Sequence, residues 1–169
     1  RAQCEKLAVS LDCRKVEVTR ASGSDRVPEA VARYRRYEAF AAYLDHDSVL
    51  LLAHHGDDQA ETVLIRLMRG AGPDGLAGMP RDRRLADGWL WRPLLWLSRE
   101  DLEAYARRHG ISWIEDDSNA DTRIERNFLR HEVLPLLQQR WPGMRRALGL
   151  TAAHCRESAR LSVELARLD

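Results

Sequence analysis

The chain has 169 residues, of which 44% are hydrophobic, and its 27 Lys and Arg residues nearly balance its 26 Asp and Glu residues. This length and composition suit one domain, or one domain and a small second one, around an ordinary hydrophobic core. The net charge of +1 excludes a strongly basic nucleic-acid tail and a polybasic membrane anchor, and the longest apolar run, Val49–Ala53, is too short to span a bilayer.

The first half of the sequence predicts alternating helices and strands. In chain order, it predicts a helix at 2–11, a strand at 14–19, a loop at 21–25, a helix from Pro28 to about residue 44, a strand at 48–54 and a helix at 59–69. The segment 48–54 is a continuous apolar run, which is typical of a strand buried on both faces of a parallel sheet. This order of elements predicts an α/β layered domain.

The second half of the sequence predicts mainly helices. It contains a glycine-rich loop at 70–80, an extended segment at 89–97, a helix from Ser98 to Gly110, a short strand at 111–115, a polar loop at 115–122, a helix at 127–140 and a long helix at 144–168. Ser98 and Asp101 form a capping-box pattern, and Pro135 predicts a break in the helix around it. We therefore divide the chain into an α/β domain at 1–85 and a mainly helical subdomain at 86–169.

Cysteine and arginine usage bear on the compartment and the partners of the chain. Cys4, Cys13 and Cys155 stand far apart without a CxxC motif, which favours a reducing compartment such as the cytoplasm over a disulfide framework. Only Lys6 and Lys15 are lysines, and every other cation is an arginine. Genomic base composition explains most of that bias, although guanidinium groups also fit phosphate oxygens.

The segment His54-His55-Gly56-Asp57-Asp58-Gln59-Ala60-Glu61-Thr62 carries the densest set of chemically useful side chains. It follows the predicted buried strand, and ligands bind at that edge of open α/β sheets. Asp58 and Glu61 can project from one side of the first helical turn, where carboxylates could hold Mg²⁺ or the ammonium group of an amine substrate. Helix capping is the alternative, and it explains one carboxylate better than the whole cluster.

Two groups of arginines form further candidate sites. Arg33 and Tyr37 lie one turn apart on an arginine-rich helix, which could equally be a solvated basic face. Arg126 and Arg130 are four residues apart and could together grip a phosphate backbone or a nucleotide. Alternatively, they could form salt bridges with the acidic loop at 115–121.

Several motifs follow one another between about residues 30 and 140, and their order is characteristic. They are Ala32-Arg33-x-x-Arg36-Tyr37, the segment 54–62, Leu67-Met68-Arg69-Gly70, Asp74-Gly75-Leu76-Ala77-Gly78-Met79, Arg92-Pro93-Leu94-Leu95 with Ser98-Arg99, Glu115-Asp116-x-Ser118-Asn119 and Arg126-Asn127-x-Leu129-Arg130-His131. Together they resemble the tRNA(Ile)-lysidine synthetase family of N-type ATP pyrophosphatases. Asp117 departs from the pattern, because the family usually has proline there.

The resemblance implies part of a parallel-sheet, adenine nucleotide alpha hydrolase-like (Rossmann-like) domain, followed by a small helical subdomain. It also implies a ligase: ATP with Mg²⁺ adenylates the C2 carbonyl oxygen of the wobble cytidine of tRNA(Ile) with a CAU anticodon, and the side-chain amine of free lysine displaces AMP. Catalysis would involve Asp57, Asp58 and Glu61, with Asp58 as a Mg²⁺ ligand. Substrate binding would involve Arg33, His54, Arg69, Asn119, Arg126, Asn127 and Arg130.

The family's pyrophosphate loop, Ser-Gly-Gly-x-Asp-Ser, is missing from this sequence. We therefore expect the chain to be a fragment that does not bind ATP normally, with a tRNA-binding region beyond Asp169 where family members have one. A noncatalytic RNA-binding module and a two-metal phosphohydrolase built on His54, His55, Asp57 and Asp58 remain alternatives. The sequence leaves open whether two chains dimerise through the last helix.

Overall fold

The computed structural model describes residues 2–18 and 29–168, and helices are its commonest elements. The α-helices in this part of the chain are α1 (Ala2–Lys6), α2 (Glu29–Ala41), α3 (Gly56–Met68), α4 (Pro73–Leu76), α5 (Arg99–Arg108), α6 (Glu125–Phe128), α7 (Leu134–Arg140) and α8 (Met144–Leu165). A 3₁₀ turn covers Asp117–Ala120, and a π-helical segment, Leu129–Val133, joins α6 to α7. No helix among the described residues is both long and apolar enough to cross a membrane.

A small mixed sheet is formed by β1 (Val49–Leu51), β2 (Asp82–Leu85) and β3 (Gly88–Trp91), in the order β1-β3-β2. The Trp89 amide donates to the Ser48 carbonyl and the Leu52 amide donates to the Trp91 carbonyl. From the first bond to the second, the residue number increases in both strands, so β1 and β3 are parallel. β2 and β3 are instead joined by a two-residue turn, which makes them an antiparallel hairpin. The α/β prediction is therefore confirmed, whereas the sheet is only partly parallel.

The chain divides into two compact units. The first comprises Arg1–Leu50 and Arg84–Leu90, and the second comprises Leu51–Arg83 and Trp91–Asp169. In the first unit the Tyr43 hydroxyl donates to the Asp12 carboxylate, and the Arg14 guanidinium lies 5.1 Å from the Tyr43 ring centroid. These contacts attach the segment after α1 to the end of α2. The domain boundary predicted between residues 85 and 86 stays a prediction.

The core of the second unit lies between α3, α7 and α8. Ala60, Leu134 and Met144 are buried together, and the partly buried side chains that pack against them are Leu64, Leu137 and Leu148. Ala152, two turns after Met144, is fully buried on the same face of α8. Met144, Leu148 and Ala152 therefore form an apolar face that holds α8 against α3.

Two predicted strands are wrong in the part of the chain that the structure describes. Residues 10–18 and 111–116 have no regular secondary structure. Alternating Val16 and Val18, or a short apolar run at 111–115, supply strand propensity, but a strand also needs a partner edge for its backbone groups. The helix predicted at 2–11 ends at Lys6, while the loop at 21–25 and the Pro28 helix start lie outside the described residues.

The strand predicted at 48–54 exists, but it is shorter than expected and is not buried on both faces. Val49 and Leu51 are 51% and 60% exposed. β1 is an edge strand of the sheet, and both of these side chains are exposed to solvent. The continuous apolar run therefore predicted the element correctly and its burial incorrectly.

The local helix signals in the second half were more accurate. Ser98 is the N-cap of α5, where its hydroxyl accepts a hydrogen bond from the Asp101 amide at 3.0 Å. Gly110 ends this helix region with a φ of 62°, a conformation that glycine adopts without steric cost. The break predicted near Pro135 is the π-helical segment before it. The glycine-rich segment 70–80 is not all loop, since it contains α4.

Gln59 holds the chain segment that follows α4. Its side-chain amide accepts a hydrogen bond from the Met79 amide at 2.8 Å and donates one to the Met79 carbonyl at 3.1 Å. Gly78 has a φ of 65°, and a Cβ there would lie 2.7 Å from Gln59 Nε2. Arg66 adds bonds to the Gly75 and Gly78 carbonyls at 2.7 and 3.0 Å. Gly78 therefore serves packing against α3, and the segment is restrained by side chains.

Candidate active site

The first turn of α3 is positioned by direct backbone contact. The Gly56 amide donates to the Leu97 carbonyl at 2.7 Å, and a Cβ at Gly56 would lie only 2.9 Å from that same oxygen. A larger residue would push this helix end away from the turn before α5. Glycine at this position thus sets where Asp57 and Asp58 project.

Asp57 connects three helices. One oxygen, Oδ1, lies 2.6 Å from Arg145 Nε at the start of α8, and Oδ2 accepts a hydrogen bond from the Arg99 amide of α5 at 2.8 Å. The residue is only 7% exposed. Burial of this carboxylate is tolerated because a guanidinium and a backbone amide replace its water.

Asp58 combines helix capping with ion pairing. Its Oδ2 accepts a hydrogen bond from the His55 amide at 2.9 Å, which satisfies a backbone donor at the helix start. Its Oδ1 lies 3.2 Å from Arg130 Nη2 and 3.4 Å from Arg126 Nη2. Capping therefore explains one oxygen of Asp58, and the other faces two arginines.

Glu61 is the most enclosed acidic side chain of this group, with an exposure of 0%. It accepts a hydrogen bond from Arg126 Nε at 2.6 Å and two from Arg130, Nε at 2.7 Å and Nη2 at 3.0 Å. Burial disfavours the charge of Arg130, but the hydrogen bond and negative charge of Glu61, with Asp58, outweigh it and raise the pKa of Arg130 above its ordinary value. We call Asp58, Glu61, Arg126 and Arg130 the carboxylate–arginine cluster.

The pairing of Arg126 and Arg130 differs from the salt bridges considered from the sequence. The acidic loop at 115–121 was the expected intramolecular partner, whereas both arginines form ion pairs with Asp58 and Glu61 of α3. Their spacing of four residues does place both guanidinium groups on one side, as expected. Each keeps about a fifth of its side chain exposed, 23% for Arg126 and 20% for Arg130.

Asn127 and Asn119 belong to a neighbouring structural unit of the site. The buried Asn127 amide donates to the Ser118 carbonyl at 2.8 Å and to the Asp121 carbonyl at 3.1 Å. The Asn119 carbonyl lies 2.8 Å from His131 Nε2, while its residue is exposed. Asn127 thus anchors the 3₁₀ turn to α6, directly beside Arg126.

The remaining predicted site residues are more dispersed. His54 is partly buried just before α3, and Arg69, at the end of α3, forms an ion pair with Glu125 at the start of α6. Arg33 belongs to the first unit, where its guanidinium lies 5.5 Å from the Tyr37 ring centroid. The structure thus brings Asp57, Asp58, Glu61, Arg126 and Arg130 together, and the roles of all the predicted site residues stay predictions.

Sequence analysis missed Arg145, which pairs with Asp57 across 88 positions of the sequence. The only signal was the Arg145-Arg146 pair, which follows Pro142-Gly143-Met144 at the predicted start of the long helix. A cavity of about 550 Å³ opens beside this ion pair. Its lining carries charges of both signs, from Asp57, Glu61, Glu100, Glu103, Arg99, Arg130 and Arg145.

The residues around Asp58 do not fit a Mg²⁺ site as they stand. The described residues contain no group of three or more His, Cys, Asp or Glu side chains that could hold a metal ion. Mg²⁺ requires near-octahedral oxygen ligands, and both Asp58 oxygens already accept hydrogen bonds from protein donors. The same finding gives no support to a two-metal site on His54, His55, Asp57 and Asp58.

Comparison with known families gives the class of protein. The family model described as PP-loop domain matches residues 1–137, so the chain belongs to the PP-loop domain family.

Among curated proteins, the chain is similar to several named tRNA(Ile)-lysidine synthase. It is 50% identical over 168 residues to the protein from Pseudomonas fluorescens, an alignment that covers 99% of this chain and 37% of that protein. It is 52% identical over 159 residues to the one from Xanthomonas campestris, covering 94% and 36%, and 45% identical over 166 residues to the one from Coxiella burnetii, covering 98% and 36%. The chain thus spans about 37% of the length of the curated relatives it matches.

Proposed function

We propose that this chain is part of a tRNA(Ile)-lysidine synthase. The whole enzyme would ligate free L-lysine to C2 of the wobble cytidine of tRNA(Ile) with a CAU anticodon, through an adenylated tRNA intermediate, with release of pyrophosphate and AMP. The observation that carries this proposal is the 50% identity over 168 residues to a protein of that name. That aligned length includes the whole of α3 and its partners on α6 and the π-helical segment.

Bound ATP would supply the adenylyl group that turns the C2 oxygen of cytidine into a good leaving group. The chain's own residues would hold the reactants in place. Arg126 and Arg130 are held by Glu61, yet each keeps an exposed fraction, and guanidinium groups match phosphate oxygens geometrically. We therefore assign them to the nucleotide or to the tRNA backbone. Arg33 and Arg69 are proposed to contact phosphate or carboxylate groups.

The mixed-charge cavity beside α3 supports lysine as the second substrate. Free lysine carries two ammonium groups and one carboxylate, so its site needs acidic and basic side chains together. Asp57, Glu61 and Glu103 line this cavity along with Arg130 and Arg145. Asp57 and Asp58 are the proposed contacts of the reacting amine, and His54, Asn119 and Asn127 are proposed to help position the substrates.

Glu61 is proposed to act through its arginines. It has no exposed surface and both of its oxygens are already hydrogen-bonded, so it positions Arg126 and Arg130. Holding the reacting groups in the geometry of attack removes a large part of the barrier to a reaction between two molecules. A change at Glu61 would therefore affect turnover even if the substrates still bind.

The test uses the complete encoded protein with tRNA(Ile) transcript, ATP and labelled lysine. The wild-type protein is expected to form lysidine. Glu61→Ala is expected to reduce the kcat by at least about 100-fold, a loss typical of misplaced catalytic groups. Glu61→Gln keeps part of the hydrogen bonding, so its kcat should lie between those of Glu61→Ala and the wild-type protein. Its KM for lysine should differ from the wild-type value by a smaller factor than its kcat does. Glu164→Ala is the matched control, since Glu164 also pairs with an arginine, Arg160, but 57% of its side chain is exposed and it does not line this cavity.

The two measurements test the proposed function and the role of Glu61 independently. If unmodified protein formed no lysidine, the proposed function would be wrong. If Glu61→Ala had the same kcat as the wild-type protein, the proposed function would stand and the positioning role of Glu61 would be wrong.

A further inference from the structure

A second cavity, of about 680 Å³, lies in the second unit and is not explained by the carboxylate–arginine cluster. It is lined by Gly56 and Gln59 of α3, by the turn before α5 and by α8. Its volume is in the range of pockets that bind small molecules or single nucleotides. We call it the arginine cavity, because five arginines line it: Arg81, Arg92, Arg145, Arg146 and Arg156.

The charge of the arginine cavity is strongly one-sided. Against five guanidinium groups its lining contains a single carboxylate, that of Asp101, which also caps α5. Arg145 is balanced by its ion pair with Asp57, so the exposed Arg81, Arg146 and Arg156 supply the positive charge that a ligand would meet. A concave surface lined by one sign of charge concentrates ligands of the opposite sign.

Two of these arginines are held in place by backbone oxygens. Arg92, only 2% exposed, donates from Nη1 to the Pro80 carbonyl at 2.7 Å. Arg156 donates from Nη2 to the Ala77 and Met79 carbonyls at 2.6 and 3.1 Å. A carbonyl oxygen restrains a guanidinium without neutralising its charge. Arg156 would therefore meet a ligand anion already oriented, which lowers the entropic cost of binding, whereas the buried Arg92 forms part of the cavity wall.

Trp96 adds an aromatic surface to this basic cavity. It lines the cavity and is 78% exposed, which is unusual for the largest apolar side chain. Leu95, Leu97 and Leu150 contribute further apolar lining. Arginines combined with an exposed aromatic ring are the means by which proteins bind unpaired nucleotides, since the ring stacks on a base while the arginines contact the phosphate.

We propose that the arginine cavity binds one unpaired nucleotide of a single-stranded RNA segment, with its base on Trp96 and its phosphodiester between the arginines. The inference rests on the proposed function, because the RNA would be a single-stranded part of the tRNA substrate. The exposed Trp96, Arg81 and Arg146 leave the cavity open to solvent, so one nucleotide of a longer strand can enter it. Duplex RNA would not bind in this way, since its bases are stacked on each other.

The experiment measures binding by the complete protein to a fluorescent single-stranded RNA of about ten nucleotides, and to the same RNA as a duplex. Trp96→Ala is expected to weaken single-strand binding by roughly tenfold, a typical effect of losing one stacked base. Arg146→Glu should weaken it similarly and reduce the slope of log affinity against log salt by about 0.7, the value for one lost phosphate contact. Duplex binding should change little in Trp96→Ala.

Arg160→Glu is the matched control. Arg160 lies on the same helix, its side chain is 72% exposed, and it does not line the cavity, yet its reversal changes the net charge equally. Equal affinities of Trp96→Ala, Arg146→Glu and Arg160→Glu for the single strand would overturn the proposal. So would tight binding of a free mononucleotide that Trp96→Ala abolishes, because the cavity would then be a small-molecule site.

Lysidine formation by the same variants distinguishes failure of this inference from failure of the proposed function. If unmodified protein forms lysidine and the cavity variants bind RNA normally, only the cavity assignment is wrong. If no lysidine is formed but the cavity variants lose single-strand affinity, the cavity binds RNA and the proposed activity is wrong.

Discussion

At Glu61, a fully buried carboxylate accepts hydrogen bonds from two guanidinium groups that are themselves mostly buried. Removing one member of such a group leaves the others desolvated and without a counter-charge, which costs far more than the intact pair contributes. A surface ion pair with the same number of contacts lacks this penalty, because water replaces the missing partner. The difference between the two cases can be measured on this chain.

Glu61→Ala is expected to lower the free energy of unfolding by about 3–5 kcal/mol, the cost of breaking a buried ion pair. Glu103→Ala, which also removes contacts to two arginines, Arg99 and Arg107, is expected to cost less than about 1 kcal/mol, since those contacts are exposed. Urea unfolding of both variants in the complete protein provides the comparison. Equal losses would show that the carboxylate–arginine cluster is no more enclosed than a surface pair.

At the scale of elements, local sequence signals predicted helices well and strands poorly. The Ser98 cap and the Pro135 break each depend on residues within a few positions of one another. The strands predicted at 14–19 and 111–115 depended on a partner edge, which no local pattern specifies. The same holds for the site: the crowding of carboxylates on α3 was visible in the sequence, but Arg126 lies 65 positions from Glu61. The partners of Glu61 could therefore be identified only from the fold.

The capping box of α5 makes a prediction about pH. The hydrogen bonds from the Ser98 hydroxyl and amide hold the pKa of Asp101 below its ordinary value. Because the folded-state pKa is the lower one, this contribution to stability is present above the ordinary pKa of an aspartate and is lost as the pH falls through the depressed value. Ser98→Ala is expected to raise the pKa of Asp101 toward its ordinary value, as measured by NMR titration of the carboxyl carbon.

Asp116 is the internal control for that titration. The Ser118 side chain and amide lower the pKa of Asp116 in the same way, at a separate turn. Ser98→Ala should leave the pKa of Asp116 where it is, whereas Ser118→Ala should raise it. An Asp101 pKa that does not move in Ser98→Ala would mean that the capping bond does not form in solution.

At the scale of the whole molecule, α8 links the parts of the second unit. Its apolar face packs on α3, Arg145 pairs with Asp57, and Arg156 bonds to the carbonyls of the segment after α4. The candidate active site and the arginine cavity both take residues from this helix. If α8 separated from the unit, both sites would be lost together.

Hydrogen exchange in the complete protein can test this coupling. Ala152 is fully buried on α8, so Ala152→Arg would force a charged side chain into a packed face, while the neighbouring Ala153 is exposed and Ala153→Arg is the control. We expect Ala152→Arg to reduce amide protection in α3, α4 and α8 together, because elements that share one core open as one cooperative unit. Ala153→Arg should leave all three unchanged. Loss of protection confined to α8 would show instead that α3 and α4 are stable without it, and that the two sites do not depend on one cooperative unit.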